Sequence, residues 1–493
     1  MTWENLLLKP ALPELLLGSL ALVVLMVGSF IPKKRQHIVY ALSLISIAIC
    51  AIAQYWVYQQ YPAPTYLFSH MFVVDAFSTF IKFALYATTA LVFIYSRRYM
   101  NERNMLHSEY FVLSLFSLLG MNVMVSATHL LAMYMGLEIL SLALYALIAF
   151  QHESPHALEA AIKYFVLGAL ASGFLLYGIS MLYGATHTLD LYVMSQHILA
   201  KSYEPTLLML GIVFILSGLA FKLGVVPFHM WVPDIYHGSP MAITLMISAA
   251  PKLATLGFIV RLLTQIFHDT PIDWQWMLVL LSVLSMTIGN IAAIAQTNIK
   301  RMLAYSTIAH MGFLLLGLIG NTSLSYSAAA FYMVTYVLMV LGVFGILLVL
   351  SNAEHECENL EDIKGLNQRN SGYALLLLLV MFSLAGTPPL LGFYAKFGVI
   401  SAVVGLHLPG IDFSLTWLAV YAVMMSLIGA FYYLRIVKCA YMDDPIDTSP
   451  IHTDCVTVVL LSLNVFAILI AGVLPDFLIK ACLDAILQSS ILS

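Results

Sequence analysis

The chain has 493 residues, 61% of them hydrophobic and only 9% charged, with a formal net charge of −4 at pH 7. Soluble domains carry about 25% charged residues, so this composition excludes a soluble fold and predicts a polytopic membrane protein. The weak acidic balance also leaves no basic patch for nucleic acid.

Apolar runs of roughly 20 residues, each enough to cross about 30 Å of hydrocarbon, predict an all-α chain of about fourteen transmembrane helices. They fall near 11–31, 38–57, 71–95, 110–127, 129–150, 157–183, 206–226, 240–266, 275–296, 301–320, 326–350, 372–402, 415–441 and 456–482. The first run is a full span with its lysines after it, so no cleavable signal is expected. The loops are mostly short, which leaves no room for a soluble domain. Alternating topology gives one side Lys33, Lys34, Arg35, Arg97, Arg98, Arg103, Lys300, Arg301, Lys364, Arg369, Arg435 and Lys438. The other side receives only Lys9, Lys201 and Lys480. The positive-inside rule then places both termini outside the cytoplasm.

Two segments repeat. LLAMYMGLE (130–138) aligns with MLAYSTIAH (302–310), EAAIKY (159–164) with SAAAFY (327–332), and KLGVVPF (222–228) with LAGTPPL (384–390). Order and spacing are kept, and five spans separate the copies. Five is odd, so the second copy enters the membrane from the opposite side, as in transporters with inverted repeats. Each copy contains a Gly/Pro interruption, which frees backbone groups that hydrocarbon cannot satisfy. The expected division is 1–109 with helices 1–3, a first repeat at 110–270 (helices 4–8), a second, inverted repeat at 271–441 (helices 9–13), and a C-terminal helix in 442–493. Each five-helix repeat is expected to contain one broken helix.

Charges within the spans need a reason, because each costs about 2.5–3.5 kcal/mol at mid-bilayer on insertion scales. Asp75 and Lys82 lie two turns apart on one face of the third span, and Glu159 and Lys163 form an i,i+4 pair. Asp75, Lys82 and Glu159 fit a structural reading, snorkelling near a span end or an ion pair between helices, as well as they fit a role in transport, and Arg261 fits an anchor near a span end. Asp234 fits a cap for the turn between two prolines. Glu138, Lys222, Lys252 and Lys396 sit deep, most of them near the interruptions, and point to transport. His229, His237 and His310 fit either satisfied hydrogen-bonding groups or proton carriers. Burial disfavours a lysine ammonium and a nearby carboxylate favours it; opposite charges 4 Å apart attract by about 4 kcal/mol at an effective dielectric of about 20. Moving Glu138 relative to Lys222 would therefore swing that lysine between holding and releasing a proton. Metal binding is disfavoured because lysine-rich sites lack ligands. Cys50, Cys357, Cys439, Cys455 and Cys482 are isolated, which gives no disulfide framework, zinc or iron–sulfur spacing. No dinucleotide or P-loop motif is present, so the chain by itself is expected to bind neither NAD nor ATP.

KLGVVPFHMWVPDIYHGSP (222–240), KRMLAYSTIAHMGF (300–313) and GTPPLLGFYAKF (386–397) resemble the core signature of the antiporter-like membrane subunits of respiratory complex I. Those subunits are related to multisubunit cation/proton antiporters. The start LPELLLG (12–18), the stretch DAFSTFIK (75–82) and the absence of a long C-terminal extension resemble the subunit N branch of bacterial NADH-quinone oxidoreductase. Lys396 agrees with that branch, since sister M subunits and antiporter homologues typically carry glutamate there.

The resemblance implies that Glu138 is the fifth-span glutamate, Lys222 its seventh-span partner, Lys252 the connecting lysine and Lys396 the twelfth-span lysine. Lys163, His229 and His310, with Glu159 and Asp234, would support a polar axis. It further implies a proton-translocating subunit of an NADH:quinone oxidoreductase, a translocase, with no cofactor in this chain. FMN, iron–sulfur clusters and quinone would belong to partner subunits. Subunit M and small membrane subunits would be neighbours, meeting flat outer walls such as the small-residue stretch GALASG (168–173), in a bacterial inner membrane with both termini periplasmic. The alternatives are a cation/proton antiporter subunit without a redox partner, and a structural spacer.

Overall fold

The computed structural model describes residues 8–32, 35–267, 274–408, 412–447, 449–451 and 453–489. Three helices come first: α1 (Leu12–Phe30), α2 (Gln36–Gln60) and α3 (Ala76–Glu102). The next group is α4 (Ser108–Ser126), α5 (Leu130–Ile148), α6 (Pro155–Thr186), a short α7 (Leu191–Leu199), α8 (Pro205–Leu223), a short α9 (Trp231–Gly238) and α10 (Met241–Leu262). The same plan then recurs in α11 (Trp274–Ile294), α12 (Ile299–Ile319), α13 (Ser323–Leu350), a one-turn α14 (Leu366–Arg369), α15 (Ser371–Ala385), α16 (Leu391–Ser401) and α17 (Thr416–Met442). The chain closes with α18 (Cys455–Val473) and α19 (Asp476–Leu487). Among the described residues, thirteen helices are long and apolar enough to cross a membrane, and the pair α15 and α16 makes the broken fourteenth span.

The group α4–α10 and the group α11–α17 each pack their first two helices closely, α4 on α5 and α11 on α12. Each interrupts its fourth span at a left-handed glycine: Gly224 (φ 78°) ends α8 and Gly386 (φ 88°) ends α15. Neither conformation suits a side chain, because a Cβ would meet the following carbonyl. Both breaks close in the same way. The Gly224 and Val225 N–H groups bond Ala220 O, and the Gly386 and Thr387 N–H groups bond Phe382 O.

Burial separates core from lipid. α10 and α12 bury 94% of their apolar windows and α13 89%, against 33–39% for α1, α2, α6, α17 and α18. A helix that is apolar all round belongs in the interior of a bundle, and Lys252 and His310 lie on two of these central helices.

Several expectations shift. The third span begins at Ala76, because residues 65–74 form a hairpin, β1 (Thr65–Leu67) on β2 (Phe72–Val74), with Thr65 opposite Val74. Asp75 then caps α3 in a reciprocal box with Ser78, which satisfies two first-turn donors. The last span is α18 alone; α19 is a separate short helix packed on α3 and α13. Of GALASG, Gly168 is consumed internally against the Tyr145 ring, while Gly173 faces open space. The expected boundary at 270/271 and the lysines Lys33 and Lys34 lie outside the described residues.

The topology can be tested by contacts. Arg98 reaches Thr453, Arg103 reaches Asn352 O, Arg301 reaches Asp234, and Arg435 binds the carbonyls of Ile294 and Gln296. Lys300 is buried between Ser239 O (2.7 Å) and Glu356 (2.8 Å). These bonds join the turns after spans 3, 7, 9, 11 and 13, which alternation requires to share one end. At the opposite end Thr128 N–H bonds Met71 O and Leu130 N–H bonds Leu189 O.

The charges of the third span form structural ion pairs between helices, which is one of the expected readings. Lys82 meets Glu14 of α1 at 2.5 Å, and Asp75 takes the Arg261 guanidinium on both carboxylate oxygens at 3.2 and 3.3 Å. Asp75 and Lys82 are therefore not partners of each other. Arg261 is 0% exposed, so it is an internal strut between α3 and α10 rather than an interfacial anchor. Breaking a buried pair costs about 3–5 kcal/mol, whereas replacing both partners by apolar groups is often neutral. Arg261→Gln is expected to lower the thermal midpoint of the purified protein by several degrees, and Asp75→Leu with Arg261→Met to recover most of it. A wild-type midpoint for Arg261→Gln contradicts this account.

Candidate functional site

Each break leaves carbonyls at the C-terminal end of a half-helix, and each end is met by a lysine. At the first, the Lys252 ammonium donates to Leu223 O (2.5 Å) and Lys222 O (3.2 Å), while the Trp231 indole N–H takes Phe221 O (2.8 Å). The Lys252 amine also lies 5.0 Å from the Trp231 ring centre. At the second, the Lys396 ammonium donates to Ala385 O and Ser426 Oγ, both at 2.9 Å, and lies 5.1 Å from the Phe313 ring centre. A helix C-terminus carries partial negative charge that attracts cations. Freed carbonyls in an apolar interior also need donors. The lysine therefore satisfies the break, and the break satisfies the lysine. Lys252 comes from the following span, α10, but Lys396 comes from the second half of the broken span itself.

Lys222 is half-buried at the end of α8 and donates to Ser141 Oγ at 2.7 Å. Ser141 lies one turn beyond Glu138 on α5, hence on the same face. Glu138 and Lys222 form no ion pair within 4 Å among the described residues, and Glu138 Oε1 is buried without a hydrogen-bond partner. A cavity of about 10 Å³, walled by Ser141, Tyr164, Lys222, Trp231, Lys252 and Thr255, connects the two lysines. That is about the room one water needs.

In the second half His310 is buried, with Nδ1 2.6 Å from the Tyr332 hydroxyl and Nε2 3.0 Å from that of Tyr433. Tyr433 continues to Ser306 at 2.5 Å, and the Tyr336 hydroxyl donates to Thr307 at 2.9 Å. Phe313 stands one turn beyond His310 and touches Lys396, as Ser141 stands one turn beyond Glu138 and touches Lys222. Tyr236 of α9 lies between the halves. Its buried hydroxyl has no hydrogen-bond partner among the described residues, and its ring meets that of Phe344 of α13 edge-on at 6.3 Å. The structure thus brings Lys222 and Lys252 together around one cavity and joins the His310 face of α12 to Lys396 through Phe313.

The remaining candidates occupy one end of the bundle. Lys163 bonds Glu159 and Asp234, both at 2.8 Å, and Arg301 bonds Asp234 at 3.0 Å. Asp234 does not cap α9, whose first turn has no side-chain cap; it ties α6 to α12 instead. His229 is half-buried, with Nδ1 unpartnered. Sequence reasoning does not single out Glu14, Ser141, Tyr332, Ser426 or Tyr433. Only Ser141, one turn from Glu138, and Glu14, a lone acid inside an apolar run, carried a signal.

Residues 127–429 match the family described as NADH:quinone oxidoreductase/Mrp antiporter, transmembrane. An NADH-quinone oxidoreductase subunit N from Laribacter hongkongensis is 51% identical over 99% of both chains. The chain belongs to that family. Its place in the subunit N group follows from this near-complete match. A chain of respiratory complex I from Thermus thermophilus, solved with bound aureothin, superposes with a TM-score of 0.80 at 29% identity, covering 95% of this chain and 98% of that one. A chain of the Mrp complex from Dietzia sp. has the same fold, with a TM-score of 0.80 at 21% identity and full coverage of both chains.

Asp234 lies outside the spanning segments. Partial burial pushes its carboxyl up, but hydrogen bonds from Lys163 and Arg301 and their charges outweigh this and hold it below the usual carboxylate range. A carboxyl depressed in the folded state contributes stability above its unfolded value of about 3.9, and loses it as pH falls through the folded value. Asp234→Asn is expected to unfold at a lower temperature than the parent at neutral pH, with the gap closing below about pH 4. A gap of constant size across an acid titration would contradict the ion-pair assignment.

Proposed function

We propose that this chain moves protons as a membrane subunit of an NADH-quinone oxidoreductase, with Glu138, Lys222, Lys252 and Lys396 as the transferring groups. The observation that carries this reading is the matched placement of Lys252 and Lys396 on the carbonyl ends of two broken helices. The near-complete match to subunit N supports the oxidoreductase over a free-standing cation/proton antiporter, whose likeness is one of fold. The halves 110–270 and 271–441 act as two inverted half-channels, and His310 of the second half helps to pass protons between the lysines.

Each ammonium is held by carbonyls and the negative end of a half-helix, while burial opposes the charge. A small change at Glu138 is therefore enough to shift a proton from Lys222 toward Lys252. Lys163, Glu159, Asp234 and His229 frame the entrance at the end where the basic turns gather. The electrons travel elsewhere: FMN, iron–sulfur clusters and quinone belong to partner subunits, and subunit M and small membrane subunits flank this one. The chain sits in a bacterial inner membrane with both termini periplasmic.

A positioned proton-transfer group contributes about 10²-fold or more to its step. Lys222→Ala and Glu138→Ala, each in fully assembled complex, are expected to cut pumping-linked NADH–quinone turnover by at least about tenfold. An unchanged proton-to-electron ratio in both variants would overturn the proposal. Co-purification without flavin or iron–sulfur subunits would favour the antiporter.

A further inference from the structure

At the end where the basic turns gather, a cavity of about 740 Å³ opens between the start of α2, the last turn of α3, the entry to α4 and the start of α18. Its walls include His37, Arg97, Arg98, Glu102, His107 and Asp454. Arg98 is engaged, bonding Glu102 at 2.6 Å and Thr453 at 3.2 Å. Arg97 is exposed and has no carboxylate within ion-pair distance among the described residues; its guanidinium lies over the Tyr40 ring, 4.9 Å from the centre. Asp454 is also exposed, makes no side-chain cap for α18, and pairs with no described cation. The cavity therefore presents one cation and one anion, each without an ionic partner among the described residues.

Arg97 heads a stripe on α3 that continues through Ile94, Ala90, Ala87 and Phe83, each half-buried or exposed. Their spacing of three and four keeps them on one face, and the two alanines lower that surface. α2 and α18 both pack on α3. They add exposed apolar stripes of their own, through Ile45, Ile49 and Ile52 and through Val459, Leu463 and Phe466. The charged cavity thus stands at the head of an exposed apolar channel, the α3 stripe lowered by its two alanines.

We propose that this cavity and channel hold one phospholipid whose headgroup carries both a phosphate and a primary amine. The Arg97 guanidinium takes the phosphate, for which its planar fork is suited, and the Asp454 carboxylate takes the amine. An acyl chain lies along Ile94, Ala90 and Ala87. Basic pockets at helix ends commonly receive lipid headgroups. An anionic headgroup without an amine would place negative charge against Asp454, and a choline headgroup has no N–H to give it. Free phosphate would leave the apolar channel unused.

The test is native mass spectrometry of the protein purified in mild detergent with the chains that accompany it. Delipidated samples are then titrated with phosphatidylethanolamine, phosphatidylcholine and phosphatidylglycerol of matched acyl chains, and with inorganic phosphate. The expected result is a retained amine-bearing lipid that rebinds about tenfold more tightly than the other two. Arg97→Gln is expected to weaken it by about tenfold, the scale of one lost charge-assisted bond. Arg97→Lys should fall between, which keeps the test open if Arg97→Gln fails to accumulate. Asp454→Asn is expected to erase the preference for amine over choline while lipid is still retained. Equal retention in Arg97→Gln, competition by inorganic phosphate alone, or a segment of an accompanying chain filling the channel in a density map would each overturn the proposal.

Discussion

The architecture turns on one contact made twice: a lysine ammonium on the open carbonyls of a half-helix. Interrupting a span in an apolar interior exposes backbone acceptors, and burying an amine there exposes donors; each is costly alone. Lys252 on Leu223 O and Lys396 on Ala385 O settle both costs at once. Neither amine is held in an ion pair, since no carboxylate lies within ion-pair distance of either among the described residues.

Elsewhere the protein uses full ion pairs, and these are structural. Asp75 with Arg261, Glu14 with Lys82, and Lys300 with Glu356 are buried and close. They tie α3 to α10, α1 to α3, and the start of α12 to the turn after α13. Around this frame the central helices α10, α12 and α13 are shielded from lipid, which is where a charge carrier must lie if protons are not to leak into the hydrocarbon.

The two repeats share a break geometry but not a residue plan. Glu138 is replaced by His310 and Ser141 by Phe313, and the ammonium comes from α10 in one half and from α16 in the other. The first half thus has a carboxylate and a hydroxyl beside its lysine, the second an imidazole and a ring. The inverted repeat thus keeps the backbone break and varies the titrating groups around it.

Much was fixed by residue order alone. Apolar run length set the spans, loop charges set their alternation, and the paired Gly/Pro interruptions located both breaks, because hydrocarbon thickness and backbone hydrogen bonding leave few alternatives. Glu138, Lys222, Lys252 and Lys396 stood out for the same reason: a charge in a span needs a partner. What the partner was, only the tertiary structure decided. The acceptors of Lys252 and Lys396 are main-chain carbonyls, which carry no residue signature. Arg261 and Asp75 lie far apart in sequence and meet only when α10 packs on α3. Asp234 looked local to its turn but is claimed by Lys163 and Arg301 from other helices. Period and composition report a helix's solvent; the neighbour each side chain meets depends on how the helices cross.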